Sequence, residues 1–367
     1  MSLAVGIVGL PNVGKSTTFN ALTKAMNAQS ANYPFCTIEP NKALVNVPDP
    51  RLNELAKIAK PQRILHSTIE FVDIAGLVRG ASKGEGLGNK FLSNIRECEL
   101  ILHLVRCFED ENITHTEGTV NPLRDIEIIN TELILADIEQ LSKKIEKLTR
   151  EAKANAKGAK EGLEFANILL THLNSGQAAS SFAEKDSDLF VNLNKELRLL
   201  SAKEVIYGAN VDEDALSKDN DLVKELKEFA TKSKHEVIKL CAKIEEELIS
   251  LDESEAGELL ASLGANESGL GQIIRVAFAK LGLINYFTAG ELEVRSWSIK
   301  KGYKAPKAAS VIHNDFEKGF IKAEVISYED FIACGGESKA KEAGKLRLEG
   351  KDYVVQDGDI MHFRFNV

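Results

Sequence analysis

Short apolar runs of strand length alternate with helical segments along much of the chain. The segment KSTTFNALTKAM, residues 15–26, directly follows the first run and predicts a helix. Strands separated by helices are typical of a mostly parallel sheet with helices on its faces. The pattern therefore predicts an α/β domain. The apolar runs are residues 4–10, 66–76, 99–108, 204–210 and 237–242.

Residues 131–200 interrupt this alternation. Within them the apolar residues recur at helical spacing in two stripes, on either side of a polar turn at residues 153–162. Two amphipathic helices joined by such a turn predict an antiparallel helical hairpin inserted into the α/β domain. The pattern leaves two roles open, because the insertion could simply pack on the sheet or could serve as a functional arm. The stripes are Ile134, Ile138, Leu141, Ile145 and Leu148, then Leu163, Ala166, Leu170 and Leu173.

The spacing of apolar residues changes again near residue 283. ELEVRSWSI predicts a strand, and residues 352–367 predict two strands paired around a hairpin turn at Asp357 and Gly358. Residues 311–326 lie between them and predict a helix, so the C-terminal part is a small α+β domain. The predicted boundaries are 1–130 with 201–282 for the α/β domain, 131–200 for the helical insertion, and 283–367 for the C-terminal domain.

Composition narrows the class of protein. The 367 residues are 44% hydrophobic and 28% charged, as in ordinary globular proteins of two or three domains. The net charge of −9 argues against a protein that coats nucleic acid through bulk charge. The five cysteines form no CxxC pair, which predicts reduced thiols. The first eight residues leave no room for a signal peptide, and no apolar run is long enough to span a membrane, so we expect a cytoplasmic monomer.

Residues 9–16, GLPNVGKS, fit the phosphate-loop pattern GxxxxGK[ST] between a predicted strand and a predicted helix. Glycines allow backbone N–H groups to turn towards phosphate oxygens, and Lys15 adds positive charge at the β- and γ-phosphates. Ser16 offers a hydroxyl to Mg²⁺, and the helix directs its positive end at the anion. The sequence predicts nucleotide contacts from Asn12, Val13, Gly14, Lys15, Ser16 and Thr17.

The second phosphate-site motif is DxxG, formed by Asp73 and Gly76 at the end of the next predicted strand. After a phosphate loop, this spacing predicts that Asp73 holds Mg²⁺ and that the Gly76 N–H contacts the γ-phosphate. Thr37, between the two motifs, is the candidate for a switch residue that reaches the metal. Residues 80–89 contain GxGxG, but they follow DxxG instead of a strand, which favours a switch loop over a dinucleotide site.

With these motifs the chain resembles the Obg-like ATPases, the YchF group of P-loop NTPases. The resemblance rests on GLPNVGKST, NYPFCTIEPN, FVDIAGLVRGASKGEGLGN, NVDE and the stretch from FTAGELEVRSWSI to YVVQDGDIMHFRFNV, so it covers essentially the whole chain. It implies an OBG-type G domain, an inserted helical domain and a C-terminal TGS domain of β-grasp type. It also implies Mg²⁺-dependent hydrolysis of ATP in preference to GTP, as a switch in translation or the stress response. The implied partners are the ribosome (large subunit or 70S) and RNA, contacted through the TGS domain and the helical arm.

Residues 205–213, VIYGANVDE, stand where GTPases carry the guanine-binding motif NKxD. Val211 and Glu213 replace its lysine and its aspartate, which weakens guanine recognition, whereas Asn210 can still reach either purine. The resemblance implies adenine, although residues 241–243, CAK, still look like the SAK loop of GTPases. From the residues alone, both ATP and GTP remain open.

The position after DxxG holds Leu77, where many GTPases carry the glutamine that orients the attacking water. We therefore expect slow turnover of the isolated protein and a catalytic group elsewhere in the chain. His115, in a polar loop, is the candidate that would act with Lys15 and Gly76, because an imidazole can orient water near neutral pH. Its alternative is an ordinary exposed loop side chain.

Three further side chains have more than one interpretation. Arg79 and Arg106 could stabilise charge on the phosphates, or could form surface ion pairs. Asn12 lies inside the phosphate loop, as in potassium-stimulated NTPases, and we hypothesise that K⁺ bound beside it accelerates hydrolysis.

Three functions follow from these residues. The leading one is an ATP-hydrolysing switch that acts on the ribosome. The second is a GTPase with a degenerate base-recognition turn. The third is an RNA- or ribosome-binding module in which the nucleotide serves only as a structural ligand.

Overall fold

The computed structural model describes residues 3–29, 41–74, 76 and 87–366. They form two six-stranded sheets and a helical insertion. The strands are β1 (Ala4–Val8), β2 (Lys42–Asn46), β3 (Arg63–Leu65), β4 (Thr68–Asp73), β5 (Leu100–Arg106), β6 (Glu204–Asn210), β7 (Glu236–Leu240), β8 (Leu283–Ala289), β9 (Glu293–Lys300), β10 (Phe320–Ile326), β11 (Arg347–Glu349) and β12 (Ile360–Phe365).

The helices are α1 (Lys15–Gln29), α2 (Pro50–Ala59), α3 (Leu87–Glu97), α4 (Pro122–Lys153), α5 (Ala159–Asn174), α6 (Asp188–Leu197), α7 (Asp214–Ser217), α8 (Asp221–Ser233), α9 (Ala242–Leu248), α10 (Glu253–Ser262), α11 (Gly269–Lys280), α12 (Ala305–Ala309), α13 (Asn314–Lys318), α14 (Tyr328–Cys334) and α15 (Glu337–Glu342). Among the described residues, no helix combines the length and the apolar character needed to cross a membrane.

The first sheet has the strand order β2-β4-β1-β5-β6-β7. Every neighbouring pair is parallel except β2 with β4, which confirms the α/β prediction. Strand β5 is buried at all seven positions, as a central strand with helices on both faces must be. The carboxyl ends of β1, β4, β5 and β6 lie along one edge, so the loops that follow these strands meet there.

The predicted helical hairpin is present. Helices α4 and α5 pack side by side over their own apolar core, which includes Leu141, Phe165 and Leu169. Helix α4 begins at Pro122, earlier than the predicted boundary, because the Asn121 side chain accepts from Arg124 N and caps the helix there. The buried Asp137 carboxylate accepts from the backbone N–H groups of Leu200 and Ser201, both at 2.8 Å, and so fixes the base of the insertion.

The second sheet has the order β11-β10-β12-β8-β9-β3. The predicted hairpin around Asp357 and Gly358 is wrong, because within this described region only β12 forms an extended strand. The Asp359 carboxylate accepts from Gln356 N at 2.9 Å and from the Tyr353 hydroxyl at 2.7 Å. These bonds hold a turn that sends β12 between β10 and β8 instead of back along the preceding residues. Likewise, the region predicted as a helix contains the short α13 followed by the strand β10.

Residues 47–67, which we term the bridging segment, leave the first sheet between β2 and β4. Their helix α2 and strand β3 pack on the second sheet, where β3 pairs in parallel with β9. Leu52 and Leu55 are fully buried there, with Phe287 and Val294. The sequence assigned these residues to the N-terminal domain, but their core lies with the C-terminal strands.

Candidate functional site

The phosphate loop follows β1 at the edge where the parallel strands end. Asn12 and Gly14 have φ angles of 62° and 98°, so the loop turns through conformations in which its N–H groups converge. Helix α1 begins at Lys15 and directs its amino end at this point. Val13 is almost fully buried, so its backbone is what this residue can offer to a phosphate.

Lys15, Asp73 and Gly76 are brought together beside the loop. The Lys15 ammonium is buried and donates to Leu10 O at 2.6 Å. A Cβ atom added to Gly76 would lie 3.2 Å from Lys15 Nζ, so the glycine closely approaches the lysine. Burial lowers the pKa of Lys15 to about 8, and the nearby Asp73 carboxylate opposes that change. Burial also raises the pKa of Asp73, which Lys15 opposes in turn. A triphosphate would supply the negative charge that this buried lysine lacks.

The same residues fit a magnesium ion. Asp73 Oδ1 is buried and finds no hydrogen-bond partner among the described residues, which suits a metal or its water. Ser16 is exposed at the amino end of α1. The described residues contain no cluster of three or more His, Cys, Asp or Glu side chains able to hold a metal. A hydroxyl, one carboxylate and substrate phosphates are the ligands that Mg²⁺ takes in nucleotide sites. Thr37, the remaining predicted ligand, lies outside the described residues.

Asn210, at the end of β6, connects the phosphate loop to the loop after β7. Its Nδ2 donates to Val13 O at 2.9 Å, and its Oδ1 accepts from Ala242 N at 3.1 Å. The side chain is almost fully buried. Both ends of the amide are therefore hydrogen-bonded to the backbone, and Asn210 holds the phosphate site and the base site at a fixed separation.

Val211 and Glu213 differ in their surroundings. The Val211 side chain is buried among Ala215, Val223 and neighbouring apolar residues, so it adds no polar group to the base site. Glu213 forms an ion pair with Lys243 at 3.2 Å, in which both side chains are largely exposed. Because water screens such a pair, it contributes little stability, but it occupies the carboxylate that stands in the guanine-binding position.

An open cleft of about 590 Å³ extends from the phosphate loop to the base turn. It is bordered by Asn12, Gly14, Thr17, Asn210, Val211, Glu213 and the 241–243 loop, so most of the predicted nucleotide contacts lie along it. The opposite wall, residues 108–113, was missed from the sequence. Phe108 and Ile113 are the apolar side chains of that wall.

Arg106 holds residues 108–113 of this wall in place. Its guanidinium is fully buried and donates to the carbonyls of Phe108, Asp110 and Ile113, at 3.1, 3.1 and 2.9 Å. It also lies 4.7 Å from the centre of the Phe108 ring. Neither sequence-based interpretation of Arg106, a phosphate-facing cation or a surface ion pair, matches these contacts. In the β5–β6 register Arg106 lies opposite Asn210, a pairing that only the structure reveals.

His115 is buried, so its interpretation as an exposed loop side chain is wrong. Its Nδ1 accepts from Glu117 N at 3.1 Å, and its Nε2 lies 2.8 Å from Asp125 Oδ2. This arrangement assigns the proton to Nε2, which donates to the carboxylate. The preceding carbonyl, of Thr114, accepts from Asn12 Nδ2 at 3.1 Å, so the histidine loop contacts the phosphate loop. Leu77, Arg79 and residues 80–86 of the GxGxG segment lie outside the described residues.

A phosphate loop between β1 and α1, with DxxG at the end of β4, defines a P-loop nucleoside triphosphatase of the GTPase-like class. A family model described as "50S ribosome-binding GTPase" matches residues 4–137, and one described as "Protein of unknown function (DUF933)" matches residues 283–366. Relatives that are more than 50% identical over the full length of both chains carry the name YchF, so the chain belongs to the YchF family.

The relatives align over their full length. The chain is 55% identical over 368 residues to a protein of Haemophilus influenzae named ribosome-binding ATPase YchF, and 53% identical over 371 residues to the Bacillus subtilis protein of that name. Each alignment covers 100% of both chains. A solved structure titled as the Schizosaccharomyces pombe YchF GTPase superimposes with a TM-score of 0.88 at 40% identity, covering 99% of this chain and 98% of that one.

Proposed function

We propose that this chain is a ribosome-binding, Mg²⁺-dependent ATPase that uses ATP in preference to GTP. The observation that carries the proposal is the convergence of Lys15, Asp73 and Gly76 beside a phosphate loop. The names of the bacterial relatives support ATP as substrate and the ribosome as partner.

The chain's own residues have distinct parts in this proposal. Lys15 neutralises the β- and γ-phosphates from a buried position, and the Gly76 N–H binds a γ-phosphate oxygen. Ser16, Asp73 and Thr37 would hold Mg²⁺. Bound there, Mg²⁺ would supply positive charge against the negative charge that develops on the phosphates during hydrolysis.

His115 is proposed to orient the attacking water, with the neutral imidazole as the active form. To do so it must exchange its bonds with Asp125 and Glu117 for bonds at the γ-phosphate. The contact between Asn12 and Thr114 keeps its loop beside the phosphate loop, so the movement would be that of an adjacent loop. Asn12 also remains the proposed K⁺ ligand, through its amide oxygen.

The base site supports adenine over guanine. The Glu213 carboxylate is paired with Lys243, and Val211 supplies no polar group. Guanine would therefore have to compete with Lys243 for the carboxylate that its N1–H and 2-amino groups need. The yeast structure's title names a GTPase, so the direct comparison of ATP with GTP decides between the two substrates.

The experiment that tests the proposal compares Lys15→Ala with Lys24→Ala, a lysine of the same helix that forms an exposed ion pair with Glu246. ATP and GTP hydrolysis and affinity are measured for both variants and the wild type, and ribosome pelleting is repeated with each nucleotide. We expect Lys15→Ala alone to lose turnover and triphosphate affinity. Unchanged hydrolysis in Lys15→Ala ends the ATPase proposal. Ribosome binding that ignores the nucleotide, together with negligible wild-type turnover, favours the binding-module alternative.

A further inference from the structure

Strands β2 and β4 form a two-stranded antiparallel ribbon at the edge of the first sheet, from Lys42↔Val72 to Asn46↔Thr68. One end of the ribbon reaches the phosphate site. There Asp73 N donates to Asn41 O at 2.9 Å, directly beside the carboxylate proposed to hold Mg²⁺. A change in the position of Asp73 is therefore transmitted to both strands.

The other end of the ribbon continues into the bridging segment. Val47 N donates to Ser67 O at 2.8 Å and closes the ribbon where the two strands separate. The backbone N–H of the same Ser67 donates to Ser296 Oγ at 2.7 Å, and Ser296 belongs to β9 of the second sheet. Ser296 is almost fully buried, so this bond is protected from water.

A charged cluster fixes the bridging segment to the second sheet. The Arg51 guanidinium donates to Asp49 at 2.9 and 2.8 Å and to Asp357 at 2.8 and 3.3 Å. Asn285 joins the two carboxylates, because its backbone N–H donates to Asp357 and its side chain donates to Asp49. Both carboxylates raise the pKa of Arg51 above its usual value. Bidentate bonds of this kind define a geometry as well as an energy.

Apolar packing makes the attachment rigid. Leu52 and Leu55 have no exposed surface and lie in one core with Phe287, Val294 and Phe331. Close-packed interiors transmit displacement instead of absorbing it. The segment must therefore move with the second sheet, while its two ends continue into β2 and β4, and β4 ends at Asp73.

From this arrangement we propose that the bridging segment couples nucleotide state to the C-terminal domain. A change at Asp73 between ATP and ADP moves the β2–β4 ribbon, and the bridging segment carries that movement into the second sheet. The coupling is reciprocal, so a ribosome bound to the C-terminal domain changes ATP affinity by the factor by which ATP changes ribosome affinity. The proposal rests on the proposed function for its nucleotide and its partner.

Hydrogen exchange on the full chain tests the coupling without ribosomes. The amides of Gln62, Ser67 and Asn285 bond the bridging segment or β8 to the second sheet and its turn. Because the attachment is rigid, strain from the ribbon acts on these bonds and changes how often they open. We therefore expect their exchange rates to differ by about fivefold or more between a non-hydrolysable ATP analogue and ADP, each with Mg²⁺. The amides of Ala305 and Val355 lie elsewhere in the C-terminal domain and serve as controls that keep their rates. Equal rates at the three test amides in both states overturn the proposal.

Uncoupling variants provide the second test. Arg51→Gln and the milder Asp357→Asn remove the charged cluster, and Arg364→Gln removes a surface ion pair with Glu324 in the same sheet. We expect wild type and Arg364→Gln to bind ribosomes about fivefold or more differently with the ATP analogue and with ADP. The two cluster variants should keep basal ATP hydrolysis while this ratio falls towards one. An unchanged ratio in both overturns the coupling. If the wild type binds no ribosomes, the proposed partner is wrong, and the exchange experiment still decides the coupling.

Discussion

The Asn210 side chain, which bonds the phosphate loop to the loop after β7, allows a prediction that can be worked out from distances. In Gly14→Ala, the new Cβ would lie 2.3 Å from Asn210 Nδ2 and 3.3 Å from Asn210 Cγ. The backbone φ of 98° is also unfavourable for alanine. The amide of Asn210 must move, which breaks its bonds to Val13 and Ala242 in a buried site.

The magnitude follows from these losses. An L-residue at positive φ costs about 1–2 kcal/mol, and each buried hydrogen bond contributes about 1 kcal/mol. We expect Gly14→Ala to lower the free energy of unfolding by about 3–4 kcal/mol. Gly176→Ala is the matched control, because its φ is 79° and a Cβ there meets no atom of the described residues within 4 Å. It should lose only about 1–2 kcal/mol.

The assay is thermal unfolding of both variants, with MgATP affinity measured in parallel. A double-mutant cycle with Asn210→Ala isolates the clash, since the substitution at position 14 should then cost only its backbone strain. The reasoning fails if Gly14→Ala and Gly176→Ala are equally destabilised. It also fails if removing the Asn210 amide does not reduce the cost.

Four further predictions concern the same protein. His115→Ala should keep ATP affinity and lower kcat, and an unchanged kcat with ribosomes present makes the histidine a bystander. Hydrolysis should be faster in KCl than in NaCl at matched ionic strength, and equal rates count against the Asn12 hypothesis. Arg106→Lys should weaken ATP binding by about tenfold but leave the affinity for tripolyphosphate unchanged, because only the cleft wall is disturbed. An equal loss of affinity for both ligands would contradict this prediction. Burial raises the pKa of Glu245 from 4.5 to about 7, so between these two pH values the folded protein keeps a proton that the unfolded chain has released. The free energy of unfolding should therefore fall as pH rises from about 4.5 to about 7. Thermal melts at several pH values should show a weaker dependence of stability on pH for Glu245→Gln.

The phosphate loop, DxxG and the parallel strands could be predicted because each depends on local pattern. A glycine-rich turn between an apolar strand and a helix has few other meanings, and strand period and length are visible in the residues themselves. The helical insertion was visible for the same reason, through its own apolar stripe.

What the sequence did not reveal depends on contacts between distant residues. The role of Arg106 requires knowing that three carbonyls turn inward around it, and the burial of His115 depends on Asp125. The failed hairpin at Asp357 shows the same limit. Asp-Gly favours a tight turn locally, but Asp359 and the strands beside β12 determine where the chain goes next.

The bridging segment also constrains the order in which this chain can fold. Ser67 bonds to a residue 229 positions later, and Arg51 bonds to one 306 positions later. A growing chain therefore exposes Leu52 and Leu55 until almost all of it has been synthesised, because their apolar partners are near its end. Contacts between residues so far apart in sequence form slowly, and apolar surface that favours aggregation stays exposed until they form. A chain shortened before β8 would keep its phosphate loop, yet helix α2, between β2 and β4, would lack the apolar partners that cover it.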